Sequence, residues 1–285
     1  MRKFLVGSDW WTDCDDAVAM RLLARAHLKG EIEILGIGIN ACMPYSVESI
    51  CAFFHFEGID NLRIGIDKEA TDFGGNPPYQ KRLANSYNSP QNNENASDAK
   101  SLYLDILQNS KEKIEIIEIG YPQVLAEVLK SDKKLFESKV SKVWMMAGKW
   151  DEQGGKENNF KRNERSRKAA EYFCKNCPVP ITFLGFEVGE SVLVGGNLDK
   201  DDQLYKAMHD MGCENGRSAW DPMLVLTAII GDESEAEYDM VFGTASVDSL
   251  DGSNYFEKDE KGKHAYLVKK QPDEYYKELI NSLIK

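Results

Sequence analysis

The sequence predicts an α/β fold, a single domain built on an open, mostly parallel (mixed) sheet flanked by helices. Three observations carry this. Short β-rich apolar runs alternate with longer stretches of helical period along most of the chain, which is how consecutive βαβ units read. Helix boundaries carry their usual residues, with Gly30 at a stop and Pro122 at a start. No Pro/Ser linker or internal repeat divides the 285 residues. One domain over 1–285 is therefore expected, with a core over about 1–231 and a C-terminal hairpin and helix over 232–285.

Taken in order, a first strand is expected over Lys3–Gly7, then a helix from Asp15 or Asp16 to Lys29. A strand over Glu31–Asn40, a helix over Ser46–Gly58 and a strand over Leu62–Ile66 follow. Residues 74–97 are rich in Asn, Ser and Gly and lack periodicity, so they read as a mobile flap. The alternation resumes with a helix over Asp98–Ser110, a strand over Lys113–Gly120 and a helix over Pro122–Ser131. A strand over Ser141–Gly148, a helix over Arg165–Asn176 and a strand over Val179–Gly189 complete it. From Leu198 the pattern is mainly helical, through Asp202–Gly212 and Ala219–Asp232. A hairpin of Tyr238–Ser246 with His264–Lys270 precedes a last amphipathic helix over Pro272–Ile284. In open parallel sheets ligands bind beyond the carboxyl ends of the strands, and the turn after the first strand lies at such an end.

Charge narrows the partners. With 47 acidic against 35 basic residues the net charge is −12, which argues against nucleic acid or an anionic membrane, since both require basic surfaces. A small neutral or cationic ligand fits better. No apolar run approaches the roughly 18 residues of a membrane span, and "MRKFLVGSDWW" turns polar too early for a secretory signal, so a cytoplasmic protein is expected. The six cysteines form no disulfide framework, and Cys42, Cys51 and Cys174 fall inside apolar runs, where a free thiol behaves as a small hydrophobe. "CKNC" at 174–177 ends a helix without a second Cys or His pair nearby, which does not support a zinc site. His27, His55, His209 and His264 are isolated.

Three motifs carry chemistry. The turn "SDWWTDCDDAVAM" gathers Asp9, Asp13, Asp15 and Asp16 where a strand hands over to a helix. Helix capping accounts for one or two of them, through free N–H groups and the macrodipole. Four exceed that need, and a hard cation such as Ca²⁺, which takes 6–8 oxygen ligands, would explain the surplus. In "SAWDPMLVL", Asp221 and Pro222 open a strongly apolar helix behind Trp220; alone this is a cap with Pro at the first helical position. "DEQGGKENNFKRNE" leaves the strand end at Gly148 and offers Glu157, Asn158 and Asn159, groups suited to sugar hydroxyls, although a surface loop is the default reading.

An acidic strand-to-helix turn ending in "DDAVA", a "WMMAG" strand, a Gly-Gly loop followed by "ENNF", and a late "DP" helix, in that order over about residues 3–231, resemble the inosine-uridine preferring nucleoside hydrolases. The resemblance implies an N-glycosyl hydrolase that uses Ca²⁺ to cleave a ribonucleoside or related riboside, assembled as a dimer or tetramer. It makes Asp16 and Asp221 calcium ligands, Asp15 a contact to the ribose hydroxyls, Gln123 the source of a main-chain carbonyl for the ion, and Glu157 with Asn159 the holders of ribose. The family pattern, Asp-x-Asp-Pro-Gly-x-Asp-Asp-Ala, puts its first Asp on Asp9, which joins the candidate calcium ligands. Its second, the calcium-binding general base, falls on Trp11, its Gly on Asp13, and its late His on Trp220.

The chemistry therefore cannot be copied unchanged, because an indole neither binds calcium nor accepts a proton. Asp13, in the same turn, is the candidate to replace the missing base and ligand. Trp11 and Trp220 would supply flat surfaces for a nucleobase. The rival reading is a calcium-dependent nucleoside or ribose binding protein on the same scaffold. A third is a structural protein whose site is filled.

Overall fold

A computed structural model describes residues 1–11, 13–75 and 78–285. The first half runs β1 (Arg2–Ser8), α1 (Asp15–Leu28), β2 (Ile32–Ile39), α2 (Ser46–Phe56), β3 (Ile64–Ile66), α3 (Gln80–Ser86), β4 (Ser97–Asp98), α4 (Ala99–Asn109), β5 (Ile114–Glu118), α5 (Gln123–Ser131) and α6 (Lys133–Lys139). It continues with β6 (Val140–Met146), β7 (Gly155–Lys156), α7 (Asn158–Lys161), α8 (Glu164–Asn176), β8 (Ile181–Leu184), α9 (Phe186–Gly189) and β9 (Leu193–Val194). The last part holds α10 (Gln203–Asp210), β10 (Arg217–Ser218), α11 (Trp220–Ile230), β11 (Tyr238–Val247), β12 (Ser253–Lys258), β13 (His264–Lys269) and α12 (Asp273–Ile284).

Among the described residues the main sheet has the order β4-β3-β2-β1-β5-β6-β8-β13-β11-β12-β7. Pairs from β4 to β13 are parallel, and β11, β12 and β7 add antiparallel partners at one side. Helices cover both faces, over two buried apolar clusters. One is centred on Phe4, Val6, Phe53 and α11, the other on Leu5, Leu125, Phe173 and Phe183. Strand β1 alternates Phe4 and Val6 into the first with Leu5 into the second, as a strand buried on both faces must. Strand order reverses at β1, whose neighbours are β2 and β5. A crevice at the carboxyl end of β1 is the geometric result.

Close approach around that strand demands glycine. Gly7, Gly38 and Glu118 sit side by side across β2, β1 and β5. The Glu118 carboxyl lies over Gly7, where a Cβ would come within 2.2 Å of Oε2. Its Oε1 accepts from Asn40 Nδ2 at 2.7 Å and Gly120 N at 3.1 Å, while Oε2 meets no donor among the described residues. Burial pushes this acid up to about 8.

The structure departs from the sequence reading at three places. Residues 76 and 77 of the expected flap lie outside the described residues, but the segment contains α3, and Tyr79, Gln80 and Leu83 are fully buried. Tyr79 donates to the Asp13 carbonyl at 2.9 Å and Gln80 Nε2 to the Trp10 carbonyl at 2.7 Å, so this part is a strut under the acidic turn instead of a mobile flap. The strand expected over Val179–Gly189 stops at Leu184, and Phe186–Gly189 is a helical turn. The hairpin strands β11 and β13 do pair, but an unanticipated β12 joins the outer side of β11.

Candidate active site

The turn after β1 is bent by Trp10, whose φ is 48°. A left-handed conformation costs a bulky residue on the order of 1–2 kcal/mol. Burial holds it there: the indole is fully enclosed, packs edge-on against Phe53 and Tyr79 at 5.5 Å each, and donates from Nε1 to Ser49 Oγ at 2.8 Å. Ser8 Oγ donates to Asp16 Oδ1, and Trp11 N to Asp9 Oδ1 at 3.1 Å.

Two helix starts then converge. Helix α1 opens with Asp15 and Asp16, and α11, packed along it, carries Asp221 in its first turn. Asp221 N donates to Asp15 Oδ2 at 3.2 Å across 206 residues of chain. One carboxylate oxygen from each of Asp15, Asp16 and Asp221 lies within 4.8 Å of the others, and all three residues are buried. Burial first, and then the neighbouring carboxylates, push all three acids well above the ordinary carboxylate range. The two helix dipoles offset only part of that repulsion. Hard oxygen donors facing one another out of water fit a hard divalent cation, which would let them ionise together.

They form the floor of a cleft of about 260 Å³. One wall comes from the loop after β6. Glu157 accepts from Asn159 N at 2.7 Å and Gly148 N at 3.1 Å, and Asn159 Nδ2 donates to the Met146 carbonyl at 2.9 Å. Burial raises the Glu157 carboxyl to about 7, against the pull of those backbone N–H groups. The opposite wall is aromatic and cationic. Trp220 stacks on Phe186 at 5.2 Å and donates from Nε1 to the Phe186 carbonyl at 2.8 Å. The Arg217 guanidinium lies 5.2 Å from the Trp220 ring centroid.

Of the residues singled out in the sequence, Asp9, Asp13, Asp15, Asp16, Glu157, Asn158, Asn159, Trp220 and Asp221 line this cleft. Asp13 does so without joining the converging trio. Its Oδ1 and Oδ2 accept from Arg217 Nε at 2.8 and 2.9 Å, Nη2 adds a further bond to Oδ2, and Cys14 N donates to Oδ1 at 2.7 Å. Both of its oxygens are thus paired with a guanidinium, and the three carboxylates that converge are those of Asp15, Asp16 and Asp221. Trp11 is not a cleft wall; its ring is buried in a satellite cluster with Met43, Phe73 and Tyr121. Gln123 lies outside the lining and borders a neighbouring cleft, its Nε2 donating to the Asn40 carbonyl at 2.6 Å. Arg217, Arg162 and Phe186 line the site without any sequence signal that pointed to them.

No family model matches the sequence, and no curated protein matches it. Solved structures do. A plant nucleoside hydrolase, PpNRh1, superposes with a TM-score of 0.79 at 15% identity, over 99% of this chain and 98% of that one. A purine-preferring ribonucleoside hydrolase from Gardnerella vaginalis gives 0.74 at 16%, over 100% and 99%. The inosine-uridine preferring nucleoside hydrolase from Bacillus anthracis gives 0.73 at 14%, again over 100% and 99%. At identities this low the likeness is one of architecture: across its whole length, this chain has the nucleoside hydrolase fold.

Proposed function

We propose that the protein is an N-glycosyl hydrolase that cleaves a ribonucleoside or related riboside to ribose and free base with the help of Ca²⁺. The observation that carries this reading is the convergence of Asp15, Asp16 and Asp221 on the floor of a cleft, in a fold shared with nucleoside hydrolases. Asp16 and Asp221 would hold the ion, with Asp15 shared between it and the ribose diol. When bound, the ion supplies positive charge that orients the diol and acidifies the attacking water.

The chain's own residues do the rest. Asp9, which lines the cleft with the trio, would accept the proton of the water, in place of Asp13, whose carboxylate is paired with Arg217. Glu157 and Asn159 hold the ribose from the other wall, their side chains fixed by backbone bonds. Fixing them beforehand reduces the entropy lost on reaching the reactive geometry. Trp220 and Phe186 offer the flat surface on which a base can stack. Calcium calorimetry combined with a ribose-release assay over a panel of purine and pyrimidine nucleosides tests the proposal. Ribose release that disappears with a chelator and returns with calcium is expected; saturable nucleoside binding without release would instead make the protein a binding module.

A further inference from the structure

We infer that Arg217 stabilises the departing base as an anion, and that Asp13 is the positioning residue that aims it; this rests on the hydrolase reading above. A riboside site needs a group to help the base leave, and among the described residues lining the cleft there is no His, Lys, Tyr or Cys. Glu157 stands on the ribose-holding wall with both oxygens accepting backbone N–H groups, so it is held as an acceptor. Of the two arginines in the lining, Arg162 donates from Nη2 to the Phe73 carbonyl and lies by the Phe73 ring, whereas the Arg217 guanidinium lies over Trp220 on the aromatic wall.

Its setting is that of a fixed charge. Nε and Nη2 are held by Asp13, and the plane lies over Trp220, which is in turn locked by its stack and hydrogen bond to Phe186. Nη1 donates to no group among the described residues, which keeps its two N–H bonds for a ligand. A guanidinium cannot give up its proton, so its contribution is electrostatic. In the step, the C1′–N bond breaks with its electron pair going to the base, and the water oxygen bonds to C1′. The water proton goes to Asp9, and the base leaves as an anion that later takes a proton from solvent. Positive charge held where negative charge develops lowers the barrier in a partly dehydrated site. Bases with ring carbonyls, which spread the negative charge onto oxygen, gain most from the free edge of an arginine.

The test compares two leaving groups with the calcium-loaded enzyme. Uridine and inosine release a poor leaving group, whereas p-nitrophenyl riboside releases a stable anion without help. Arg217→Ala is expected to lose about a hundredfold or more in kcat on the nucleosides and less than tenfold on the nitrophenyl riboside, with guanidinium ion restoring part of the nucleoside rate. Asp13→Asn should show the same split with a smaller loss, and adding it to Arg217→Ala should cost nothing further. Equal losses on both substrates, or the absence of guanidinium rescue, would overturn the inference and leave the hydrolase reading intact. A wild-type protein that cleaves neither substrate removes both.

Discussion

Asp13 and Arg217 are joined through both carboxylate oxygens, with Nε 2.8 Å from Oδ1 and 2.9 Å from Oδ2, across 204 residues of chain. The pair ties the turn after β1 to the short strand that leads into α11. It also separates two roles that sequence comparison merges. Asp13 pairs with a guanidinium, while Asp9, just beyond β1, lines the cleft together with Asp15, Asp16 and Asp221.

That separation fixes how two similar substitutions should differ. Asp9→Asn is expected to lower kcat by roughly 100- to 10,000-fold on every riboside, the usual worth of a general base. Asp13→Asn should lower it less, and unequally between leaving groups. Steady-state kinetics on uridine and p-nitrophenyl riboside decide it; a larger loss at Asp13 on both would return the base role to that residue.

Calcium held by the acidic trio predicts a difference between the parent and Asp16→Asn: chelation should destabilise the first and leave the second unchanged. In the parent, saturating calcium at about 100 times Kd should add roughly 2.7 kcal/mol of stability, and a chelator should remove it. Asp16→Asn relieves like-charge repulsion among buried acids, so it should raise the melting temperature of the metal-free protein and abolish the calcium response. Calorimetric melts with and without chelator read both signs.

Glu118 provides a pH signature. Its carboxyl titrates at about 8 in the fold but near 4.5 when unfolded. Below 4.5 both states carry the proton and the stabilisation is complete; as pH rises toward 8 the unfolded chain ionises first, so folding stability falls across that window. The total is on the order of 5 kcal/mol at about 1.4 kcal/mol per pH unit. Urea unfolding at pH 5 and pH 8 in metal-free buffer should show this slope in the parent and a flatter one in Glu118→Gln.

The row of small residues around the same carboxyl is equally testable. Gly7→Ala would bring a methyl group within 2.2 Å of Glu118 Oε2, and overpacking of this kind costs typically about 1–3 kcal/mol. Denaturant midpoints measure it. An unchanged midpoint would mean that the Glu118 side chain moves aside freely, against its bonds to Asn40 and Gly120.

Local pattern carried much of the architecture. The first strand, read as Lys3–Gly7, is Arg2–Ser8, and the helix after it ends at Leu28 where Gly30 signalled a stop. Strand order and the addition of β12 to the sheet depend on pairings between distant segments, which periodicity does not encode. The site divides along the same line. An acid-rich turn and an Asp-Pro helix start are visible as motifs, whereas Arg217, in "GRSAW", has no local signal because its meaning comes from Asp13 and Trp220. Trp10 and Trp11 are neighbours of the same type, yet one wedges the turn and the other fills a separate cluster; only tertiary packing tells them apart.

The 206-residue separation of Asp15 and Asp221 also sets a clock during synthesis. At about 5–20 residues per second, the acidic turn leaves the ribosome roughly 10–40 s before the aspartate that completes the trio. Through that interval Asp15 and Asp16 lack their third carboxylate, so the nascent chain has only part of the proposed cation site. The acidic trio is completed late in translation, after most of the parallel sheet has been made, so a cation held by all three carboxylates would be captured only once the chain's final third has arrived.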